Sequence, residues 1–247
     1  MNPDFLSLPD RRLAYQRLRG EASRAGVVFL GGYASDMTGT KASFLAECCT
    51  GVGTSYLRFD YRGHGQSDGE FRDGTIGGWF EDTCEAFDQL TEGPQIVIGS
   101  SMGGWFGLML ARERPERVKA LIGIAAAPDF TEDLMWLRLS PDQRAEIERN
   151  GEILDPTAPP DMQVPVTLRL IEEARKHLLL RATIKLACPV HLLQGLDDAE
   201  VPWQHALRIT ENTAHDDVRT TFIKDGDHRL SREQDLELLW QIVRPLV

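Results

Sequence analysis

The sequence lacks any apolar run near the roughly 20 residues that a membrane-spanning helix requires. Its 247 residues are 42% apolar, and the mean hydropathy is −0.28. Basic charge is also scarce, since 27 lysines and arginines face 38 acidic residues, for a formal net charge of −11. Proteins that bind a phosphate backbone need a clustered basic surface. We therefore predict a protein that neither binds nucleic acid nor inserts stably into a membrane.

Cysteine is sparse, and its spacing does not fit a metal site or a disulfide framework. The four cysteines are Cys48, Cys49, Cys84 and Cys188, of which two are adjacent and none form a C-x-x-C pair. Structural zinc sites and disulfide-rich folds are typically recognised by such spacing. We therefore predict no metal site, and we interpret the four thiols as small buried groups in a reducing compartment.

A secretory leader is not visible either, because the first residues do not place a basic segment before an apolar one. Together with the cysteine usage, this predicts a cytoplasmic protein. One alternative stays open, since residues 11–24 contain five arginines, as a mitochondrial presequence would. Three acidic residues among the first 21 fit such a leader poorly. Alternating Leu13 and Tyr15 more simply predict an edge strand.

The most informative stretch is residues 95–104, Gln-Ile-Val-Ile-Gly-Ser-Ser-Met-Gly-Gly. An apolar run of strand length ends at glycine and opens into a helix-like run that starts at Trp105. Ser101, with Gly99 two residues before it and Gly103 two residues after it, is typical of a nucleophile elbow. In that strained turn between strand and helix, the serine hydroxyl is held up at the edge of a sheet. Neighbouring backbones approach so closely there that a Cβ at either glycine would collide.

Strand and helix patterns alternate along most of the chain. A hairpin at the N-terminus is followed by a continuous apolar strand at residues 26–32 and by further strands, which we place at residues 55–59, 95–99, 120–127, 189–194 and 218–223. This alternation predicts an α/β fold with a mostly parallel, doubly wound sheet that is covered on both faces. Ligands of such sheets bind beyond the carboxyl ends of the strands. Ser101 lies at one of those ends.

The alternation breaks after Pro128. Residues 129–183 are helical and irregular, with no strand pattern, which indicates a helical cap inserted into a core of residues 1–128 and 184–247. The apolar stripe at residues 134–137 of this cap is open to two interpretations. It either packs against the core or lines a channel for an acyl chain.

A serine hydroxyl becomes a strong nucleophile only when a base removes its proton and an acid orients that base. His228 directly follows the last predicted strand, so its imidazole is expected at the same sheet edge as Ser101. The other five histidines lie in or beside helices, inside a strand, or too early in the chain. Asp197 and Asp198 both follow the penultimate strand and compete as the acid. Asp129 is a third candidate, although its loop position is less favourable.

The negative oxygen of a tetrahedral intermediate needs two fixed hydrogen-bond donors. We predict that one is the backbone N–H of Met102, which follows the serine directly and lies at a helix N-terminus. The loop after Gly31 and Gly32 is expected to supply the other, the N–H of Tyr33. The Tyr33 ring can in addition line the wall of a pocket.

Three motifs together resemble the α/β-hydrolase superfamily. They are the elbow, the Gly-x-x-Asp-x-x-Val-Pro pattern at residues 195–202, and the pair Asp227 and His228. More narrowly, residues 35–42 and 58–69 resemble the acyl-protein thioesterase and acyl-glucuronide esterase branch of the abhydrolase-domain proteins, whose eukaryotic member is mitochondrial. The likeness runs from about Val27 to Trp240.

This resemblance implies a cofactor-free serine hydrolase that cleaves carboxylic thioesters or esters through an acyl-enzyme. It implies Ser101 as the nucleophile, Asp198 as the acid and His228 as the base. The expected substrate is a small molecule or an acylated protein. Gly31 stands where that branch carries proline, and the cap residues match less well, which leaves the choice of substrate open.

Other functions remain compatible with the same motifs. A non-catalytic binding protein of this fold would hold a ligand under its cap, and a missing triad member would signal it, but none is missing here. A cofactor-free haloperoxidase or a C–C bond hydrolase would use a similar triad. A haloalkane dehalogenase is disfavoured, because its elbow carries aspartate where this chain has Ser101.

Overall fold

The computed structural model describes residues 2–21, 23–155 and 163–247. The strands are β1 Asp4–Ser7, β2 Arg12–Leu18, β3 Gly26–Leu30, β4 Tyr56–Phe59, β5 Gln95–Ser100, β6 Val118–Ile124, β7 Glu152–Leu154, β8 Pro165–Thr167, β9 Ile184–Lys185, β10 Val190–Gly195, β11 Thr213–Ala214 and β12 Val218–Ile223. The α-helices are α1 Thr40–Val52, α2 Ile76–Leu90, α3 Met102–Glu113, α4 Pro141–Asn150, α5 Leu168–Ala174, α6 Gln204–Asn212 and α7 Glu233–Val243. Among the described residues, no helix combines the length and the apolar character needed to cross a bilayer.

Eight strands form the main sheet, in the spatial order β1-β2-β4-β3-β5-β6-β10-β12. The six strands from β4 to β12 run parallel, and β2 and β1 add an antiparallel edge. The predicted mostly parallel sheet is therefore confirmed. The predicted edge strand around Leu13 is β2. It is the second strand from the edge of the sheet, because β1 pairs with its outer side.

Both faces of the sheet are covered, as the continuous apolar strands predicted. Val28 of β3 packs in one apolar cluster with Trp79 of α2 and with α3 and α6. Its neighbour Val27 packs in a second cluster with Leu45 of α1 and Leu239 of α7. Because successive side chains of a strand point to opposite faces, each of the six parallel strands contributes to both clusters. The burial of apolar surface on both faces holds the strand ends at one common edge.

The segment between β6 and β10 leaves the sheet, and the prediction that it contains no strand is wrong. β7 and β8 pair antiparallel, with Ile153 opposite Val166. Each strand has three residues, which is too short to show an alternation in the sequence. A small apolar cluster holds this region together, formed by Leu139, Ile147, Ile153, Val166 and Ile171. Residues 156–162 of the expected cap lie outside the described residues, and the division into core and cap stays a prediction.

The turn between β5 and α3 is strained, as the elbow pattern predicted. Ser101 adopts φ 54° and ψ −118°, a region that side chains rarely occupy. A Cβ on Gly99 would lie 2.2 Å from the carbonyl oxygen of Gly103, and a Cβ on Gly103 would lie 2.1 Å from that of Leu30. Real Cβ contacts are never that short, so the expected collision at both glycines is confirmed.

Candidate active site

Ser101, His228 and Asp198 form one hydrogen-bonded chain at the carboxyl edge of the sheet. Nε2 of His228 lies 3.2 Å from Oγ of Ser101, and Nδ1 of the same ring lies 2.9 Å from Oδ2 of Asp198. The three residues follow β5, β12 and β10, whose parallel order brings their carboxyl ends together. The fold therefore brings together a hydroxyl, an imidazole and a carboxylate from distant parts of the sequence.

Asp198 is buried, and both oxygens of its carboxylate accept hydrogen bonds. Oδ1 accepts the backbone N–H groups of Glu200 at 2.9 Å and Val201 at 2.8 Å. Oδ2 accepts the side-chain amide of Gln194 at 3.0 Å in addition to the imidazole. Burial by itself raises the pKa of Asp198, but the hydrogen bond and charge of His228 and the two N–H groups outweigh it and hold that pKa below its ordinary value. This carboxylate is consequently ionised at neutral pH.

The two competing carboxylates lie elsewhere. Asp129 is buried, and it accepts the backbone N–H groups of Leu179 at 2.7 Å and Leu180 at 2.9 Å, while burial raises its pKa. Asp197 is exposed, and its own N–H donates to the carbonyl of Gly226. In the part of the chain that the structure describes, neither carboxylate contacts the imidazole of His228. Of the three candidate acids, Asp198 is the one that lies within hydrogen-bond distance of the ring.

The remaining histidines have other partners. Contacts of 2.6–3.3 Å join His64 to the Arg62 carbonyl, His177 to Glu173, His191 to Thr221, His205 to the Pro128 carbonyl and His215 to the Asp217 N–H. Across residues 2–21, 23–155 and 163–247, none of them contacts Ser101. The structure thus brings His228 alone of the described histidines to the serine.

Two backbone N–H groups next to the serine in the fold have no hydrogen-bond acceptor among the described residues. The loop after β3 passes so close that a Cβ on Gly32 would lie 3.4 Å from the Ser101 Cβ. Within the described residues, the N–H groups of Tyr33 and Met102 donate to no other atom. Met102 is the first residue of α3, where helix N–H groups are unpaired and the helix dipole favours an anion. This arrangement can hold a negatively charged oxygen.

The Tyr33 ring packs against three other aromatic rings, those of Phe71, Trp79 and Phe130, and we call these four rings the aromatic wall. The ring thus lies in an aromatic surface, in addition to the role predicted for the Tyr33 N–H. Its centroid lies 5.0 Å from that of Phe71, 5.9 Å from Trp79 and 5.5 Å from Phe130. The hydroxyl donates to the carbonyl of Pro165 at 3.3 Å, which ties the loop after β3 to β8. Aromatic surface therefore adjoins the residue whose N–H is the predicted second oxyanion donor.

The apolar stripe at residues 134–137 is only partly buried, and its role in an acyl channel stays a prediction. Leu134 and Met135 are partly buried against the main apolar cluster. Leu137 is 58% exposed, and Trp136 lies under the guanidinium groups of Arg144 and Arg175. Packing thus accounts for the inner half of the stripe.

Sequence reasoning missed two residues that hold the loops of the site. The buried carboxylate of Asp60 accepts the N–H of Met37 at 2.7 Å and that of Gln66 at 2.9 Å, which joins the loop after β3 to the loop after β4. Nζ of Lys41 donates to the carbonyl of Arg229, directly after His228. Burial lowers the pKa of Lys41 to about 8. Lys41 lies in the motif at residues 35–42 and Asp60 in the motif at residues 58–69. The resemblance of these motifs to the thioesterase branch was the sequence signal that could have identified both residues.

His64 is a buried histidine that packs against the aromatic wall. Its ring contacts Tyr61, Phe71 and Trp79 at centroid distances of 5.5, 5.0 and 5.1 Å. Nδ1 lies 3.3 Å from the carbonyl of Arg62 and carries the proton of the neutral ring, because a carbonyl only accepts. Nε2 is buried and has no partner among the described residues. Burial lowers the pKa of His64 to about 4.

We expect this burial to make the protein less stable in acid. A histidine of the unfolded chain titrates near pKa 6.5, against about 4 for His64 in the fold. Between these values the unfolded state binds more protons, so the free energy of unfolding falls as the pH drops, by about 2 kcal/mol from this residue between pH 7.5 and 5. Urea unfolding near both pH values measures the change.

The variant His64→Phe isolates this contribution, because a phenyl ring keeps the aromatic packing and cannot be protonated. The acid-induced loss of stability should be smaller in His64→Phe than in the wild type by about 2 kcal/mol. Other acid-sensitive groups affect both proteins equally and cancel in the comparison. If the two proteins lost the same free energy of unfolding in acid, the pKa of His64 would not be lowered in the folded protein.

A family description and several relatives match the chain. The family described as serine aminopeptidase, S33 (Hydrolase_4) matches residues 21–235. The palmitoyl-protein thioesterase ABHD10, mitochondrial, of Bos taurus is 39% identical over 245 residues, which cover 98% of this chain and 79% of the relative. Its counterpart in Mus musculus is 41% identical over 228 residues, covering 92% of this chain and 76% of the relative.

Solved structures agree with these relatives. The alpha/beta hydrolase domain-containing protein 10 from mouse superposes with a TM-score of 0.91 at 38% identity, over 100% of this chain and 98% of that one. A putative hydrolase from Agrobacterium vitis S4 gives a TM-score of 0.93 at 38% identity, over 99% and 97% of the two chains. The α/β-hydrolase fold and the resemblance to the thioesterase branch are confirmed. The prediction of a cytoplasmic protein is wrong, because the relatives from cow and mouse are named mitochondrial.

Proposed function

The chain belongs to the serine aminopeptidase, S33 (Hydrolase_4) family, and from that premise we propose that it releases fatty acids from S-acylated proteins, with Ser101, His228 and Asp198 as its catalytic residues. Its class is a serine hydrolase that cleaves carboxylic thioesters or esters, in keeping with thioesterase relatives at 39% and 41% identity over most of the chain. The palmitoyl-protein substrate named for those relatives supplies the finer proposal.

The proposed reaction begins with the tautomer of His228. Its Nδ1–H donates to ionised Asp198, which leaves the Nε2 lone pair directed at the Ser101 hydroxyl. As Oγ attacks the thioester carbonyl carbon, Nε2 accepts the hydroxyl proton and the carbonyl oxygen becomes negative. The N–H groups of Tyr33 and Met102 donate to that oxygen.

Collapse of the tetrahedral intermediate breaks the C–S bond. The leaving sulfur takes the proton from Nε2 and departs as a cysteine thiol, and the acyl group remains as an ester on Ser101. Water then repeats the sequence: Nε2 removes one water proton, the hydroxide adds to the ester carbonyl, and Oγ recovers a proton as the fatty acid departs. Asp198 stays ionised throughout and stabilises the imidazolium.

The observation that carries this proposal is the continuous chain from Ser101 Oγ through His228 to Asp198, at 3.2 and 2.9 Å. The unpaired N–H groups beside the serine support it, because acyl transfer needs donors at that place. The aromatic wall supports an apolar acyl group, since it adjoins the proposed oxyanion donor.

The direct test replaces the nucleophile. We expect Ser101→Ala to lower the turnover of an S-palmitoyl-cysteine peptide by at least about 10³-fold, because the variant lacks the hydroxyl that lies beside the His228 imidazole. The variant should also lose labelling by a fluorophosphonate probe. Ser100→Ala is the matched control, because this neighbouring serine lies in β5 and has no side-chain hydrogen bond in the described part of the chain.

Three results would overturn the proposal. One is wild-type activity in Ser101→Ala, and another is fluorophosphonate labelling at a different residue. The third is a wild-type protein that neither hydrolyses the peptide nor reacts with the probe, as expected of a non-catalytic binding protein.

A pair of variants separates the proposed acid from its buried competitor. Asp198→Asn should lower kcat by about 10⁴-fold, because an amide no longer fixes the reactive tautomer of His228. Asp129→Asn should leave kcat within a few-fold of the wild type. It should lower the free energy of unfolding by about 1–3 kcal/mol, because one amide oxygen cannot satisfy the N–H groups of both Leu179 and Leu180. Steady-state kinetics and urea unfolding of both variants give the comparison, and the opposite pattern would assign the acid to Asp129.

A further inference from the structure

Glu200 has a contact with the proposed base that the hydrogen-bonded chain does not require. Its Oε2 lies 3.6 Å from Nε2 of His228, the same nitrogen that faces Ser101. The side chain is 70% exposed, so the carboxylate borders both the imidazole and solvent. Asp198 contacts the opposite nitrogen of the ring from a buried position. The imidazole therefore lies between a buried carboxylate and an exposed one.

Hydrogen bonds fix the backbone of Glu200 at both its N–H and its carbonyl, although its side chain is exposed. Its N–H donates to Oδ1 of Asp198 at 2.9 Å, and its carbonyl accepts Nη1 of Arg138 at 3.3 Å. The next residue, Val201, donates to the same Oδ1 at 2.8 Å. Because the Asp198 carboxylate organises this turn, the negative charge of Glu200 stays at the mouth of the site while the side chain retains its exposure.

The chemistry of acyl transfer gives this position a role. Nε2 returns its proton to the departing sulfur or oxygen, so the leaving group must bind next to that nitrogen. Chemical groups attached to the leaving atom consequently lie near Glu200. A carboxylate at this place repels an anionic leaving group and attracts a cationic one. The acyl chain lies on the other side of the scissile bond, so the charge of Glu200 does not discriminate between acyl chains.

We propose that Glu200 is a specificity-determining residue that selects the charge of the leaving group, so that the enzyme prefers acyl-cysteines flanked by basic residues over anionic acyl donors. The inference rests on the proposed thioesterase function and adds a substrate class to it. Acyl donors that carry phosphates or a sugar carboxylate on the leaving group are disfavoured by the same charge. The formal net charge of −11 has the same sign and adds to this preference at long range.

The test uses S-palmitoyl-cysteine peptides of one length with lysine, neutral or glutamate residues beside the acylated cysteine. The wild type should give the highest kcat/KM with the lysine peptide. In Glu200→Gln, the ratio of kcat/KM for the lysine peptide over the glutamate peptide should fall about 3- to 30-fold at low salt. The neutral peptide should change least. Added salt should shrink the wild-type preference, because this carboxylate is exposed to solvent.

A matched control removes the same charge elsewhere. Glu116 is exposed and lies just before β6, at the edge of the sheet opposite the site. The variant Glu116→Gln should keep the wild-type ratio of the two peptides.

A kinetic readout distinguishes charge selection from a structural role. All three peptides form the same acyl-enzyme, so the rate constant of deacylation, followed in single turnover, should be identical for them. In Glu200→Gln it should change by one factor common to all three peptides, because the lost carboxylate also lies 3.6 Å from Nε2 of the base. A merely structural loss would slow every peptide and the deacylation step alike.

The inference is overturned if Glu200→Gln keeps the wild-type peptide ratio, or if it slows all peptides equally. No turnover of any thioester by the wild type would instead overturn the proposed function, and this inference with it.

Discussion

Close packing of the backbone at the turn after β5 is the constraint on which the rest of the site depends. The carbonyl of Leu30 and the backbone of Gly103 approach so closely that no Cβ fits between them. This packing holds Ser101 at a φ of 54°, a strain of about 1–3 kcal/mol that the surrounding hydrogen bonds maintain. As a result, the hydroxyl projects beyond the end of the strand and faces His228.

The imidazole is positioned by loops that are themselves fixed from several sides. Asp198 receives two backbone N–H groups from its own turn, so its carboxylate is preorganised before it meets the ring. Lys41 holds the carbonyl that follows His228, and Asp60 holds the loop that carries Tyr33. Because groups of the protein itself make these contacts, the proposed proton transfer would need little reorganisation of the site.

The sequence could predict the fold and the approximate site because both follow from pattern. Ser101 and His228 lie after predicted strands, and parallel order brings the ends of such strands to one edge. β7 and β8 escaped prediction because three residues carry no periodicity. Asp129 and Asp198 both follow strands, so loop position and the motif gave the sequence analysis a preference for Asp198, and the hydrogen-bond partners in the structure distinguish the two carboxylates. The cytoplasmic prediction failed because free thiols indicate only a reducing environment.

The central claim is that the acyl group passes through an ester on Ser101. Mixing the enzyme with excess S-palmitoyl peptide, quenching in acid within one turnover, and mass spectrometry of the peptide that contains Ser101 test it most directly. We predict a palmitoyl adduct on this serine that forms as the thiol is released and disappears as the fatty acid appears. Release of thiol and fatty acid together, with no adduct on Ser101 at any time, would contradict the claim.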